Sequence, residues 1–357
     1  MSTLFQTDSF QDLLARLASL PCEDSSQFWP SEQLTAMSQA GVTTWDIPSD
    51  FAGRDLPPVD MLEGLRQLAS ASLVATFVLT QRTAAVRRIA TSDNTAARQN
   101  LLPALCRGDI FATVGISHLT TSGQHLDKPL VGVQETEGGF ELSGLVPWST
   151  GATQADILVT GGTLEDGRQI LAAIPTDRKG LVVQSPMQLM AMNASQTGAV
   201  RLDSVQITAD ELLHGPLERV MSQGTGGGAG SLGTSALAMG AAAGTLQGMR
   251  HETDRRPELL EYLTPLQREH DDLLAVLRQA IAGEHPQGAT AGESIRQQAN
   301  SLVMRSAQAW LAATKGAGYV AGHPAERAVR ESMFFLVWSC PQPVLAGNLQ
   351  EFACPVR

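Results

Sequence analysis

The sequence predicts an α+β fold with an N-terminal helical domain, a middle antiparallel β-barrel or sandwich domain, and a C-terminal helical bundle. Apolar residues recur at helical spacing near the N-terminus, alternate with polar residues in the middle third, and return to helical spacing in the last third. Because the strands are grouped rather than interleaved with helices, a doubly wound α/β sheet is excluded. We place the three domains at residues 1–107, 108–215 and 216–357.

Each domain has its own local signal. Helical spacing in the first domain is carried by Phe10, Leu13, Leu17, Met61, Leu65 and Leu68. In the middle domain, alternating segments flank Gly138-Gly139 and Asp166-Gly167, a pattern that predicts two β-hairpins. In the last domain, helical spacing is carried by Leu259, Leu263, Leu266, Leu273, Leu277 and Ile281. The Gly-rich and Pro-rich segment 283–292 predicts an exposed connection.

Composition excludes several classes of function. The 357 residues carry a formal net charge of −11 without a Lys/Arg block, so a nucleic-acid-binding face is not expected. No run of about eighteen apolar residues occurs, and the N-terminus has no signal-peptide pattern, so we expect a cytoplasmic protein that does not span a membrane. The four cysteines form no CxxC or Cys/His cluster, which argues against structural zinc and a disulfide framework.

A glycine motif near the start of the last domain resembles a dinucleotide fingerprint. Gly228, Gly230 and Gly233 form GxGxxG, and Glu252 follows about twenty residues later. Such a motif needs a strand that runs directly into the turn, but LLHGPLERVMSQ precedes the glycines and no βαβ pattern follows. We therefore interpret it as a loop followed by a small-residue helix packed closely against its neighbours.

Two stretches of the middle domain carry a more specific signal. FATVGISHLTTSG spans Phe111 to Gly123, and GLVPWSTGATQADILVTG spans Gly144 to Gly161. In order and spacing they resemble the acyl-CoA dehydrogenase family. The resemblance implies a bound FAD, with ring contacts from Val114, Ile116, Ser117, Gly123, Trp148, Ser149 and Thr150. Without the surrounding match, Trp148 would be interpreted as a core aromatic at a strand end.

Two further stretches extend the resemblance towards the C-terminus. LMAMNASQTGAVRLDSVQITADELL resembles the segment that closes the family's β domain, where Ser195 and Thr197 would touch the nucleotide part of a thioester; an ordinary hairpin also explains it. The segment from Lys315 to Ser339 matches the family's C-terminal segment without a gap. There the resemblance implies that Gly316 contacts the flavin of a neighbouring subunit, and hence a homodimer or homotetramer.

The resemblance fails where the family carries its catalytic base. The usual Glu position falls on Ser339, a neutral hydroxyl that is a poor proton acceptor. The family's alternative site is also empty, because no Asp or Glu lies between Glu218 and Glu252. His118 is the best local substitute, since imidazole titrates near neutrality, although a structural histidine is an equally good explanation.

Other family contacts are also reduced. Only Arg255 remains of the Arg-x-x-Phe-Gly that holds the flavin pyrophosphate. We predict that Trp338, next to the vacated base position, lines the substrate pocket, and that Phe334 and Phe335 are core residues.

Three functional classes stay open on the sequence alone. The first is an FAD-dependent oxidoreductase acting on the CH–CH group of an acyl-CoA or acyl-carrier-protein thioester, with a base from elsewhere. The second is a flavin-dependent monooxygenase or oxidase on a non-thioester substrate, which needs no α-proton base. The third is a catalytically silent relative with a binding role. The identity of the small-molecule substrate and of the electron acceptor is not encoded in any motif.

Overall fold

The computed structural model describes residues 3–122, 126, 128–223, 232–285 and 291–354. Five helices precede the strands: α1 (Asp8–Ser19), α2 (Ser31–Gln39), α3 (Pro58–Ala71), α4 (Leu73–Ala90) and α5 (Thr95–Arg107). Eight strands follow: β1 (Ala112–Gly115), β2 (Val131–Thr136), β3 (Gly139–Ser149), β4 (Ile157–Thr163), β5 (Gln169–Pro175), β6 (Leu181–Val183), β7 (Gly198–Thr208) and β8 (Leu212–Leu217). The C-terminal helices are α6 (Leu232–Thr253), α7 (Leu260–Ile281), α8 (Ala291–Gly318), α9 (Pro324–Val337) and α10 (Gln342–Ala353).

Local sequence sets the ends of the helices. In α5, the side chain of Asn94 accepts a hydrogen bond from the Ala97 amide and caps the N-terminus. The same helix ends at Gly108, whose φ of 76° is a left-handed conformation that glycine adopts without steric cost. Pro324 occupies the first turn of α9, where its missing N–H is not needed. These signals explain why the first helical region stops immediately before β1.

The middle strands form one eight-stranded sheet in the order β6-β7-β3-β2-β4-β5-β8, with β1 paired to β4 off this path. Both predicted hairpins are confirmed: β2 pairs with β3 around Gly138-Gly139, and β4 pairs with β5 around Asp166-Gly167. Pairing is mostly antiparallel, as predicted. The exceptions are β1 and β2, each of which runs parallel to β4, because the chain crosses between them rather than turning back in a hairpin.

The C-terminal bundle depends on close contact between α6 and its neighbours. A Cβ added to Gly240 would lie 2.1 Å from the carbonyl oxygen of Arg66 on α3, so only glycine allows this approach. Thr245 donates a hydrogen bond to Ser306 (2.9 Å), and Gly248 packs on the Trp310 ring. Because both sequence numbers rise together along these contacts, α6 and α8 run parallel, with α7 returning between them.

This packing confirms the small-residue helix predicted for α6. Gly233 lies in its first turn, whereas Gly228 and Gly230 fall outside the described residues. The last strand before the glycines, β8, ends at Leu217 and is followed by a short 3₁₀ turn, Val220–Ser222. Within the described residues, no helix has the length and apolar character needed to cross a membrane.

The contact at Gly240 generates a stability prediction. Replacing Gly240 by Ala forces α3 and α6 apart, because the obstructing atom belongs to the backbone. We expect a loss of about 3 kcal/mol in the free energy of unfolding, measured by urea titration. Gly292→Ala in α8 is the matched control: its nearest heavy atom would be 3.9 Å away, so this change should be neutral or slightly stabilising. Equal effects of the two substitutions would contradict the packing described.

Candidate functional site

The ends of β1 and β3 meet, and this meeting forms the centre of the candidate site. The hydroxyl of Thr113 donates to the carbonyl oxygen of Thr150 (2.6 Å), and the hydroxyl of Ser149 donates to the carbonyl oxygen of Val114 (3.4 Å). All four residues are buried. Two stretches separated by about thirty-five residues in sequence are therefore held side by side, as the sequence analysis requires of a shared site.

Two side chains at this meeting point, Trp148 and Ser117, have environments that differ from those of ordinary core residues. Trp148, at the end of β3, is 47% exposed and is therefore not a core aromatic. Just beyond β1, the hydroxyl oxygen of Ser117 is shielded from solvent and has no hydrogen-bond partner among the described residues. An exposed indole offers a stacking surface to a flat ring, and a shielded hydroxyl requires a polar partner. Both features fit a planar polar ligand lying against the strand ends.

A row of buried hydroxyls continues from the strand ends towards β7. The Thr150 hydroxyl lies 2.9 Å from that of Thr197, which lies 2.8 Å from that of Ser195. Each hydroxyl can donate once and accept twice, so the three form a continuous, orientable chain. Ser195 and Thr197 thus lie beside Thr150, in a buried row rather than on the surface of a hairpin.

The hydroxyl row is connected to α9 through a charged residue near the N-terminus. Asp24 accepts hydrogen bonds from the backbone amide (2.7 Å) and the side chain (3.2 Å) of Asn193, which precedes Ser195. Asp24 also forms an ion pair with Arg330 of α9, and Arg330 donates to the carbonyl of Met190 (3.0 Å). Three distant parts of the chain are therefore tied together at the edge of the site.

Trp338 ends α9 within an aromatic cluster. Its ring stacks on Phe334 at 5.1 Å and 13°, and meets Phe77 of α4 edge-on at 5.0 Å. Phe335 is fully buried and Phe334 is half-buried, as core residues should be. Trp338 packs against a core cluster that also contains Ala191, Met192 and Ala194, which lie next to Ser195 in the sequence.

A buried arginine fixes the turn after Trp338. Nη2 of Arg296 donates to the carbonyl oxygens of Phe335 (2.8 Å) and Trp338 (3.0 Å), and Nε donates to Asn300 (2.8 Å). These bonds satisfy the C-terminal carbonyls of α9, which have no partner within the helix. Ser339 follows with φ of 48°, a left-handed conformation that is uncommon for residues other than glycine. Ser339, where the family resemblance predicts the base position, therefore has a left-handed backbone directly after a hydrogen-bonded turn.

His118 is placed as a structural histidine would be. Its Nε2 lies 2.9 Å from the carbonyl oxygen of Gly161, and the ring is buried. Burial lowers the pKa of His118, opposed by the hydrogen bond to Gly161, so burial favours the neutral imidazole. This environment holds the ring rigidly against β4, which argues against the mobility and solvent contact that a proton shuttle requires.

The remaining predicted cofactor contacts are not brought to this site. Arg255 and Gly316 are both exposed, at the ends of the parallel helices α6 and α8. Along α8, Gly316 lies about 30 Å from Arg296 and hence from the Trp338 turn. Their roles as contacts to a neighbouring subunit stay predictions. Gly123 lies outside the described residues.

Sequence reasoning missed the ionic cluster that supports α9. Arg330 bonds Glu326 and Asp24, and Glu331 lies 3.8 Å from Arg327. Burial raises the pKa of Glu331 to about 7, although the charge of Arg327 opposes the shift. The sequence could have indicated the two pairs within α9, because oppositely charged residues four apart on a helix form pairs. The contact with Asp24 spans more than three hundred residues and has no local signature.

Comparison with known proteins identifies the fold. No family model matches the sequence. Butyryl-CoA dehydrogenase from Megasphaera elsdenii superposes with a TM-score of 0.80 at 16% identity, covering 97% of this chain and 98% of that structure. The chain therefore has the acyl-CoA dehydrogenase fold, as the sequence predicted.

Two more specific similarities accompany this fold. TdsC from Paenibacillus sp. A11-2, solved with FMN and indole, superposes with a TM-score of 0.79 at 17% identity, covering 97% of this chain and 96% of that one. A dibenzothiophene monooxygenase from Mycolicibacterium goodii is 29% identical over 139 residues, 36% of this chain. That match spans about a third of the relative's length, 34%.

The ionic cluster on α9 generates a pH prediction. The pKa of the Glu331 carboxyl is about 7 in the folded protein, above its ordinary value of 4.5. Between these two pH values the folded state therefore binds the proton more tightly than the unfolded state does. Raising the pH through this window must therefore lower stability. Relative to Glu331→Gln, the wild type should lose roughly 2–3 kcal/mol of unfolding free energy between pH 5 and pH 8, measured by urea titration at each pH.

Glu326→Gln provides a control of opposite sign. The hydrogen bond from Arg330 lowers the pKa of Glu326, so its contribution is present above the ordinary carboxyl pKa and is lost as the pH falls. If the unfolding free energies of the wild type and of Glu331→Gln changed in parallel from pH 5 to pH 8, the raised pKa of Glu331 would be ruled out.

Proposed function

We propose that this protein is a flavin-dependent oxidoreductase with FAD as its cofactor. The observation that carries the proposal is the meeting of β1 and β3, where an exposed Trp148 and a shielded, unpartnered Ser117 hydroxyl flank the same strand ends. The solved structure of TdsC, which has the same fold, contains FMN, and its presence supports a flavin here. The choice of FAD over FMN rests on the family resemblance of the sequence.

The residues present fit a flavin ring. Trp148 would cover one face of the ring, while Val114 and Ile116 would contact it from β1 and the residue that follows. Ser117 would gain the polar partner that it lacks within the described chain, and Ser149 and Thr150 would hold the strand end in register. When bound, a flavin supplies two-electron redox chemistry that no protein side chain provides.

The residues beside the Trp338 turn favour chemistry with O₂ over α-proton abstraction. Ser339 has no carboxylate, and the nearest acid on α9, Glu331, lies eight residues earlier, about 12 Å along the helix axis. A monooxygenase or oxidase needs no base at this position, whereas dehydrogenation of a thioester does. The similarity to a dibenzothiophene monooxygenase supports this chemistry and an apolar substrate that contacts Trp338.

A second candidate reaction is oxidation of the CH–CH group of an acyl-CoA or acyl-carrier-protein thioester. Butyryl-CoA dehydrogenase has the same fold over nearly the whole chain. The hydroxyls of Ser195 and Thr197 lie beside Thr150, where the family resemblance implies contact with the thioester's nucleotide part. This reaction would require a base other than Ser339. His118 is a poor one, because burial lowers its pKa and its Nε2 lies 2.9 Å from the carbonyl oxygen of Gly161.

The assembly implied by this function is a homodimer or homotetramer. Arg255 and Gly316 are exposed, and Gly316 lies far from the Trp338 turn along α8, as expected of residues that complete a neighbouring subunit's flavin site. We further expect a cytoplasmic location and no contact with nucleic acid or membranes, from charge and composition. A catalytically silent relative is the outcome if purified protein lacks a visible flavin spectrum.

The cofactor assignment is tested by a double substitution. Trp148→Ala with Thr150→Ala removes the stacking surface and one end of the hydroxyl row, so we expect the ratio of flavin to protein absorbance to fall at least tenfold after gel filtration. Val182→Ala is the matched control, because Val182 is 53% exposed on β6 and belongs to no predicted contact. Wild-type flavin content in the double variant would remove Trp148 and Thr150 from the site.

The oxygen-dependent reaction and the dehydrogenase reaction are distinguished by the source of the electrons that reduce the flavin. We expect O₂ consumption when the protein is supplied with NAD(P)H, a flavin reductase and an apolar aromatic substrate such as indole. Short-chain and medium-chain acyl-CoA should leave the flavin spectrum unchanged without O₂. Anaerobic bleaching by a thioester would instead establish the dehydrogenase reaction and overturn the preference for O₂.

A further inference from the structure

Among the described residues, three arginines are almost completely buried, and two of them bond several neighbouring oxygens. Arg82 pairs with Asp46 (3.3 Å) and donates to the carbonyl of Leu105 (2.7 Å). Arg296 donates to two carbonyls at the end of α9 and to Asn300, and its Nη1 alone has no partner in the described chain. A buried guanidinium is tolerated in both places because neighbouring oxygens replace the lost hydration.

For Arg88, no oxygen partner is found among the described residues. This arginine lies in the last turn of α4, is 1% exposed, and its Nε and Nη1 have no hydrogen-bond partner among the described residues. Burial lowers the pKa of Arg88 to about 10, so the side chain still carries its charge at neutral pH. A buried charge without a counter-charge costs several kcal/mol, which is unusual in a folded protein.

Strand β8 is bonded to the chain just beyond α4, one turn from Arg88. Ser92, one turn further along, donates to the carbonyl of Leu213 on β8 (2.6 Å), which fixes the corner after α4 against this strand. The next residue on β8, His214, also has a shielded Nε2 without a partner in the described chain. Burial lowers the pKa of His214; the charge of Asp93 opposes this shift, and the charge of Arg88 adds to it to a smaller extent.

We propose that a small monovalent anion of chloride size binds between α4 and β8, held by the guanidinium of Arg88 with His214 as a second donor. An anion would satisfy two shielded donors and compensate the buried charge together. We infer a small anion because Ile89 and Leu213, which adjoin Arg88 and His214 in sequence, are buried apolar residues of one core cluster. The site is separate from the strand ends that carry the flavin proposal.

The test is thermal unfolding of the full protein in potassium chloride or potassium gluconate at one ionic strength. Chloride should raise the midpoint of the wild type by about 2 °C for each tenfold increase above its dissociation constant, whereas gluconate is too large to enter. Arg88→Met should abolish this dependence. Arg87→Met, which removes the same charge from the neighbouring, less buried position, should retain it.

The results separate the alternatives. Equal midpoints of the wild type in the two salts, or an unchanged chloride effect in Arg88→Met, would overturn the proposal and leave Arg88 hydrated by water. If Arg88→Met does not fold, crystals of the wild type grown with bromide provide the second measurement. An anomalous peak within hydrogen-bond distance of Arg88 is expected, and the absence of a peak there would refute the site. Neither result depends on flavin content.

Discussion

The hydrogen bond from Thr113 to the carbonyl of Thr150 is the contact on which the candidate site depends. It joins the end of β1 to the end of β3, and every further polar contact continues from that junction. The row from Thr150 through Thr197 to Ser195 leads to Asn193, whose partner Asp24 is bound by Arg330 of α9. The sheet therefore positions the last helices through directional bonds as well as through the apolar core between them.

The turn at Trp338 is held independently of the side chain that follows it. Arg296 bonds the carbonyl oxygen of Trp338, Phe77 and Phe334 pack against its ring, and none of these contacts involves the side chain at position 339. The packing of this turn is therefore compatible with different residues at position 339. Different chemistries can be carried by the same scaffold, with function decided by individual positions.

Much of the fold was predictable because its signals are local. The helical spacing of Phe10, Leu13 and Leu17 corresponds to a buried helix face, and the two glycine-containing turns form hairpins. The parallel pairing of β1 with β4 was not predicted, since strand order depends on contacts between residues far apart in sequence.

The site was predictable only in part, for the same reason. Family resemblance located the β1 and β3 ends, and the structure shows them in contact. Phe77 and Asp24 were missed, because nothing in their own neighbourhoods distinguishes them from core or surface residues. Arg296 did leave a signal: a charged residue occupies the buried face of α8 beside Ile295 and Ala299. The support of a site is therefore harder to read from sequence than the residues that face its ligand.

The left-handed backbone at position 339 has a consequence for substitutions at this position. A carboxylate introduced there by one substitution would have the same left-handed backbone, which residues with a Cβ seldom adopt. The hydrogen bond from Arg296 to the carbonyl oxygen of Trp338, directly before it, opposes a change of that conformation. A proton acceptor placed at position 339 would therefore have to function from this left-handed backbone, or the turn would have to change together with the residue.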